Sequence, residues 1–266
     1  MAGKTKIVQF FSLRLNHSKA RFVMAFPFKK QEAFLAGHIE AFHFFGGVPR
    51  RITYDNLKTA VYKILEGKKR QEQQAFKVFR SYYLCASRYC TPTKAHEKGG
   101  VENDIGYAQR NFFSPIPEVA SYQELNAVLR QACLQDAQRR TRGQKKLVAE
   151  LWEEEKANLL PLPSRDYAAC ATRVVKPNGY LQVVYETNRY SVPYEYRDRQ
   201  LVLRAFPFRI ELLSLDDIVA VHQRCFEREQ DILDPLHYLP LLVQRPGAFE
   251  HAKPLRQWRQ RWPEWS

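Results

Sequence analysis

The spacing of apolar residues changes along the chain, and this change limits the folds that the sequence can adopt. Over the first 113 of the 266 residues, short β-prone runs alternate with helical stripes in the order β-β-α-β-α-β-α, which indicates an α/β fold. Residues 59–65 fit either a strand or a loop. The other predicted elements are strands 4–15 and 21–26, helix 29–45, strand 52–54, helix 71–83, strand 84–89 and a helix from Val101.

Two acidic residues lie at the ends of these elements. Asp55 follows strand 52–54 and would stand at its carboxyl end, where open α/β sheets place their sites. Glu102 would lie in the first turn of the last helix. Two carboxylates on rigid elements can share Mg²⁺, and paired metal ions stabilise both the attacking and the leaving oxygen of a phosphodiester. Each acid also has a structural interpretation, as a turn former or as a partner of the helix dipole.

The surroundings of Glu102 contain two alternative acids. Glu97 is predicted in a polar loop over residues 91–100, and Asp104 on the outer face of the helix. His38 lies on the apolar side of helix 29–45 and is predicted to pack rather than to bind a metal. The predicted buried stripe of the last helix is Val101, Ile105, Ala108 and Phe112.

The charge of the chain points to a polyanionic partner. The sequence has 42 Lys and Arg against 28 Asp and Glu, a formal net charge of +14, which favours DNA through phosphate contacts and counterion release. No run of about 18 apolar residues occurs, so we expect no membrane span. Five scattered cysteines suit reduced thiols in a cytoplasm. The predicted DNA-binding residues are Lys58, Lys68, Lys69, Arg70, Lys94, Lys98, Arg110, Arg139, Arg140, Arg142, Lys145, Lys146, Arg189, Arg197 and Arg199.

Residues 116–165 are predicted to form a basic helical linker. Ser121 and Glu124 have the spacing of a capping box and open a helix. A dense basic stretch at 139–146 can follow a phosphate backbone without reading sequence, and a second helix is predicted from about residue 145 to 159. The predicted buried stripe of the first of these helices is Leu125, Val128, Leu129 and Ala132.

The rest of the chain is predicted to be mainly β-structure. Short strands at close spacing indicate a small β-barrel over residues 166–226, with Asn178 and Gly179 as one hairpin turn. Tyrosines and arginines interleave there, as on surfaces that bind nucleic acid. Residues 227–266 form a basic, aromatic tail that could bind DNA or a protein or be loosely ordered.

Residues 26–113 resemble the catalytic domain of the IstA-type transposases of insertion sequences, in three segments. The matching segments are GHIEAFHFFGGVP at 37–49, YDNLKTAV at 54–61 and EKGGVEN at 97–103. Residues 188–193, NRYSVP, resemble the carboxyl-terminal barrel of the same family. The resemblance implies a ribonuclease-H-like, integrase-like core in which Asp, Asp and Glu bind two Mg²⁺ or Mn²⁺ ions.

The resemblance assigns Asp55 to the second acid of that triad and Glu102 to the third, as catalytic and metal-binding residues. The first Asp has no counterpart, because the acids before Asp55 are Glu32 and Glu40 in a helix, so we expect a core that is incomplete at its first strand and truncated at the first acid. The family further implies DNA, additional copies of the chain and an IstB-type AAA+ ATPase helper as partners.

Two functional hypotheses follow. The first is a DNA transposase that cleaves the ends of an insertion sequence and joins them to target DNA with the help of a divalent metal. The alternative is a catalytically inactive, truncated remnant that binds only DNA or a transposase.

Overall fold

The computed structural model describes residues 5–54, 61–64, 70–72, 74–89, 95–244 and 255, with only the backbone described for 61–64, 70–72, 95–103 and 242. The chain mixes helix and sheet and forms two compact units, Met1–Ala169 and Cys170–Ser266. Among the described residues, no helix is long and apolar enough to cross a membrane.

The first unit begins with an antiparallel hairpin and continues with alternating strands and helices, as predicted. Its strands are β1 (Gln9–Arg14), β2 (Arg21–Phe26), β3 (Arg51–Tyr54), β4 (Val61–Ile64), β5 (Arg70–Glu72) and β6 (Ala86–Tyr89). Its helices are α1 (Gln31–Phe45), α2 (Gln74–Tyr82), α3 (Ala95–Phe112), α4 (Tyr122–Asp136) and α5 (Val148–Lys156). The ambiguous residues 59–65 contain a strand, β4, which pairs with β5.

The strands of this unit pair two by two within the described residues. β1 and β2 pair antiparallel, from Gln9 opposite Phe26 to Arg14 opposite Arg21. β3 and β6 pair in parallel, with Tyr54 opposite Tyr89. Parallel strands run in the same direction, so the carboxyl ends of β3 and β6 lie side by side, at Tyr54 and Tyr89.

Helix α1 lies at the centre of the first unit. Eleven of its fifteen residues are buried, on more than one side of the helix. Phe44 and Phe45 pack in one apolar cluster with β2 and α4, whereas Phe34 and Phe42 pack in another with β3 and α2. Gly37 lets β1 approach closely, because a Cβ there would lie only 2.5 Å from the Phe11 ring.

Helices α4 and α5, within the predicted linker 116–165, pack in the first unit. The side-chain amide of Asn126 in α4 pairs with both the N–H and the C=O of Ala25, at 2.7 and 3.1 Å, as a neighbouring strand would. The Glu155 carboxylate of α5 accepts from the backbone N–H groups of His17 and Ser18 in the β1–β2 turn. Both helices are therefore fixed to the hairpin by polar contacts.

The predicted cap of α4 is confirmed, and one residue of its predicted stripe is wrong. The Ser121 hydroxyl accepts from the Glu124 N–H at 3.1 Å, and the Glu124 carboxylate accepts from the N–H of Ala120. The buried residues of α4, Leu125, Leu129 and Cys133, recur at every fourth position and define its packed face. Val128 lies at the margin of that face and is 44% exposed.

The second unit contains two sheets around one apolar core. Its strands are β7 (Ala171–Val175), β8 (Gln182–Tyr185), β9 (Asn188–Ser191), β10 (Leu201–Ala205), β11 (Arg209–Ser214), β12 (Asp217–Gln223) and β13 (Asp231–Ile232), followed by α6 (Leu239–Gln244). The sheet orders are β12-β11-β10-β7 and β13-β9-β8. Tyr190, Leu203 and Leu212 are fully buried between them.

The predicted hairpin turn at Asn178 and Gly179 is wrong. β7 pairs with β10 and β8 with β9, so these residues connect strands of different sheets. The side-chain Oδ1 atom of Asn178 instead accepts from the backbone N–H groups of Tyr180 and Gln182 and closes a local turn. The two-residue turn of the β8–β9 hairpin is Glu186 and Thr187, both with positive φ.

Candidate active site

The carboxyl end of β3 is where the sequence places the first candidate carboxylate. Tyr54 is the last residue of β3 and lies opposite Tyr89, the last residue of the parallel strand β6. Asp55 is the next residue in the chain and lies outside the described residues. The described stretch that includes β3 therefore ends at Tyr54, directly before Asp55.

A buried histidine fixes the end of β3. The Nδ1 atom of His38 donates to the carbonyl oxygen of Phe34 at 2.8 Å, so Nε2 is the acceptor of the hydrogen bond from the Tyr54 hydroxyl at 3.0 Å. His38 is fully buried, and burial lowers its pKa to about 4. The imidazole is therefore neutral at pH 7 and has both nitrogens engaged, which fits the predicted packing role.

Helix α3 carries the second candidate carboxylate and begins earlier than predicted. The helix starts at Ala95, so the predicted loop over residues 91–100 is wrong for its second half, and Glu97 lies in the first turn. Glu102 lies in the second turn rather than the first. The helix includes Gly99 and Gly100 although glycine has a low helix propensity. The side chains of residues 95–103 lie outside the described ones.

The predicted orientation of α3 is wrong in part, because Ala108 and Phe112 are buried as predicted but Asp104 and Ile105 are not placed as expected. Asp104, expected on the outer face, accepts from Arg14 at 2.6 Å and from Arg21 at 2.9 Å through one carboxylate oxygen. Ile105, expected in the buried stripe, is 44% exposed. The packed face contains Ala108 and Phe112, four and eight residues after Asp104. Asp104 is therefore engaged in ion pairs and is a poor alternative to Glu102 as a metal ligand.

The network around Asp104 extends to α4. Two guanidinium groups lie over the ring of Tyr107, with the centroid 4.1 Å from Cζ of Arg21 and 5.2 Å from Cζ of Arg139. The Tyr107 hydroxyl donates to Asp136, which also accepts from Arg139 at 2.8 Å. Burial raises the pKa of Tyr107, and its hydrogen bond to Asp136 adds to this rise, so the phenol stays protonated.

The predicted DNA-binding residues fall into three groups. Outside the described residues lie Lys58, Lys68, Lys69 and Lys94, and the backbone alone is described for Arg70 in β5 and Lys98 in α3. Exposed side chains belong to Arg110, Arg140, Arg142, Lys145 and Arg199. Ion pairs engage Arg139 with Asp136, Lys146 with Glu154, Arg189 with Asp231 and Arg197 with Asp198.

Two further cations near β3 escaped the sequence prediction. In the β3–β6 pair, Ile52 and Tyr54 face the apolar cluster, whereas Arg51 and Arg88 lie on the opposite, exposed face. The alternation of side chains between the two faces of a strand is the sequence signal that could have identified these two arginines.

Positive charge is unequally divided between the two units. The first unit has 28 Lys and Arg against 16 Asp and Glu, a formal net charge of +12, whereas the second has 14 against 12, a net of +2. The excess positive charge thus resides mainly in the unit that contains the candidate carboxylates.

Comparison with known proteins supports the predicted resemblance. The family model "Mu transposase, C-terminal domain" matches residues 162–234. A transposase of Aminobacter aminovorans is 33% identical over 257 residues, which cover 94% of this chain and 50% of the relative. Over nearly its whole length, the chain is similar to transposases. The predicted resemblance is therefore confirmed.

Other transposases align over similar ranges. The transposase for insertion sequences IS1326/IS1353 of Pseudomonas aeruginosa is 30% identical over 97% of this chain and 52% of its own length. The transposase for insertion sequence element IS21 from the same organism is 29% identical over 94% of this chain and 64% of its own length, which agrees with the IstA-type resemblance. The chain spans about half the length of the first two relatives.

One solved structure that matches is the cryo-EM structure of the simian T-cell lymphotropic virus intasome in complex with PP2A regulatory subunit B56 gamma. That chain covers 86% of the present one, with 14% sequence identity and a TM-score of 0.44.

Proposed function

We propose that this chain acts in DNA transposition, by metal-dependent cleavage at the ends of an insertion sequence and transfer of the freed strand into target DNA. The observation that carries the proposal is the alignment of named insertion-sequence transposases with 94–97% of the chain. The proposed partners are DNA, further copies of the chain and an IstB-type AAA+ ATPase.

The proposed architecture is a ribonuclease-H-like core over residues 1–115, a helical linker at 116–165, a β-barrel at 166–226 and a basic tail at 227–266. The order β1-β2-α1-β3-β4-β5-α2-β6-α3 and the parallel pairing of β3 with β6 support the core. Two sheets around a shared apolar core support the barrel.

Asp55 and Glu102 are the proposed ligands of Mg²⁺ or Mn²⁺. The donor set suits these ions, since carboxylate oxygens are the ligands that Mg²⁺ prefers. The described residues provide no competing group of three metal-binding side chains, and Asp104 is engaged with two arginines. The metal would polarise a phosphoryl oxygen and activate the attacking oxygen. The acids before Asp55, Glu32 and Glu40, both lie in α1, so no described strand adds a third carboxylate there.

The proposed function predicts strand transfer that depends on a divalent metal. The 266-residue chain is incubated with Mg²⁺, a labelled duplex carrying an end of the insertion sequence, and plasmid target. We expect joined product with Mg²⁺, none after chelation by EDTA, and recovery when Mg²⁺ is restored, because the ion supplies the charge that stabilises the displaced oxygen.

The contradicting result is salt-dependent DNA binding without cleavage or joining at any Mg²⁺ or Mn²⁺ concentration. That result would make the chain a DNA-binding remnant. A parallel reaction with a full-length relative is the control. If the relative gives product under the same conditions, no assay component is missing and the chain itself is inactive.

The turn between α4 and α5 is the proposed phosphate contact. The two ends of the turn are held together by backbone contacts. Arg140 and Leu147 form an isolated antiparallel β-bridge, and the N–H of Val148 donates to the backbone carbonyl oxygen of Arg139 at 3.0 Å. Gly143, with a φ of +82°, lies at the tip. Arg140, Arg142 and Lys145 are exposed on this turn, in the unit of higher positive charge. An ordered cationic turn can approach a phosphate backbone with little loss of conformational entropy.

Removing two of these charges should change the salt dependence of DNA binding. In Arg140→Gln/Arg142→Gln, we expect the slope of log K against log salt to become shallower by about 2, since each phosphate contact contributes about 0.9. The measurement is fluorescence anisotropy with a duplex of random sequence. The control Arg173→Gln/Arg228→Gln removes two exposed arginines of the second unit and should leave the slope unchanged. Equal slopes for the two double variants would show that only net charge matters.

A further inference from the structure

Two arginines of the β1–β2 hairpin form ion pairs with a single carboxylate of α3. The two arginines lie opposite each other at the turn end of the hairpin. Arg14 and Arg21 are cross-strand partners, and both donate to the same oxygen of Asp104. Arg21 also reaches the backbone carbonyl of Asp104 at 3.4 Å. The side chain of Arg21 is only 3% exposed, and that of Asp104 is 20% exposed. The hairpin thus holds one residue of α3 by its side chain and its backbone.

The next turn of α3 is also held by side-chain contacts. Arg21 and Arg139 both lie over the ring of Tyr107, and the Tyr107 hydroxyl donates to Asp136 of α4. Rotation or sliding of α3 would break the ion pairs at Asp104 and the stacking at Tyr107 together. The helix is therefore fixed about its axis as well as along it.

The network is poorly explained as a device for stability alone. Burial lowers the pKa of Arg21, although the Asp104 carboxylate opposes this change, so the charged guanidinium is held at a cost. The Arg21 Nε atom and one Asp136 carboxylate oxygen are buried without a hydrogen-bond partner. Buried ion pairs often add little net stability compared with apolar packing, and their best-attested use is to specify one arrangement.

We propose that Asp104 is a positioning residue that sets the location of Glu102 relative to the sheet. This inference rests on the proposed metal-binding role of Glu102. The two residues are separated by about 3 Å along the helix axis and about 200° around it. Asp104 is the described side-chain contact of α3 closest in sequence to Glu102. A metal site needs its ligands held to about 0.5 Å, so a helix free to turn would misplace the carboxylate.

The test combines hydrogen exchange with Mn²⁺ binding in the whole chain. In Asp104→Asn, we expect amides of residues 95–103 to exchange about tenfold faster while α1 is unchanged, because opening is local. We expect the dissociation constant for Mn²⁺ to rise about tenfold, since one ligand is misplaced. Asp104→Glu, which keeps the charge and moves the carboxylate by one methylene, should give the same pattern to a smaller degree and guards against misfolding of Asp104→Asn.

A stability control and a ligand control separate the possible outcomes. Val148→Ala, in the buried core at α5, should lower thermal stability without affecting residues 95–103 or Mn²⁺ affinity. Glu102→Gln should weaken Mn²⁺ binding without changing exchange at 95–103. If both Asp104 variants leave exchange at 95–103 as in the parent chain, the positioning role is overturned. If Glu102→Gln leaves Mn²⁺ affinity unchanged while Asp104→Asn still loosens α3, the metal site fails and the anchoring of α3 stands.

Discussion

Replacing Asp55 with Asn is expected to lower the rate of DNA strand transfer about 10³-fold. The amide has nearly the same shape as the carboxylate but lacks its charge, so it binds a divalent cation weakly. Metal stabilisation of the transition state amounts to several kcal/mol, and each 1.4 kcal/mol changes a rate tenfold. The measurement is the initial rate of joining of a pre-cleaved element end to plasmid DNA at saturating Mg²⁺.

Glu102→Gln should cause a loss of the same size. Because two ligands of one metal act as a unit, the double variant should be little slower than either single variant. Glu97→Gln is the matched control, since Glu97 lies in the same helix and was one of the two alternative acids. If Glu97→Gln is as damaging as Asp55→Asn while Glu102→Gln is harmless, the third acid has been assigned to the wrong residue.

The elements with strong local signals could be predicted from the sequence. Pro27 ends β2, the stripe through Phe34, Phe42 and Phe45 identifies α1, and Ser121 caps α4. Each of these signals is a short-range property of the chain, so it needs no knowledge of the neighbouring elements.

Features that depend on tertiary contacts could not be predicted in the same way. The start of α3 at Ala95 contradicts the low helix propensity of Gly99 and Gly100. The side of α3 that packs is decided by two arginines on a hairpin more than 80 residues away, which turn Asp104 inward and leave Ile105 exposed. Asn178 and Gly179 have the local signal of a hairpin, but the pairing of β7 with β10 excludes one.

The candidate site itself was predictable in part. Strand β3 ends at Tyr54, as the β-prone run 52–54 predicted. The sequence was therefore sufficient to predict that Asp55 directly follows the end of a strand. Its pairing with Glu102 comes from the family resemblance, because neither spacing nor composition brings the two acids together. The contact between His38 and Tyr54 links residues 16 apart, and the sequence gives no sign that the two side chains meet.

The first unit should lose about 3 kcal/mol of unfolding free energy between pH 7 and pH 4 because of His38. Burial depresses the pKa of His38 to about 4 from its ordinary value of 6.5. Between these values the unfolded chain binds a proton that the folded chain does not, so stability falls as the pH falls, at about 1.4 kcal/mol per unit. Above pH 6.5 both states are neutral, and below about pH 4 both are charged, so the loss is confined to this interval.

The measurement is urea unfolding from pH 7 to pH 4, followed by hydrogen exchange of the α1 amides. His38→Gln cannot titrate, so it should be less stable than the parent chain at pH 7 and lose about 3 kcal/mol less on acidification. Phe42→Leu, on the same buried face of α1, should lower stability at every pH and keep the parent pH dependence. Carboxylates titrate in all three proteins and cancel in the comparison. If His38→Gln loses as much stability as the parent chain on acidification, the imidazole becomes charged in the folded state without penalty. The neutral ring that accepts the Tyr54 hydrogen bond next to Asp55 would then be the wrong description of the site.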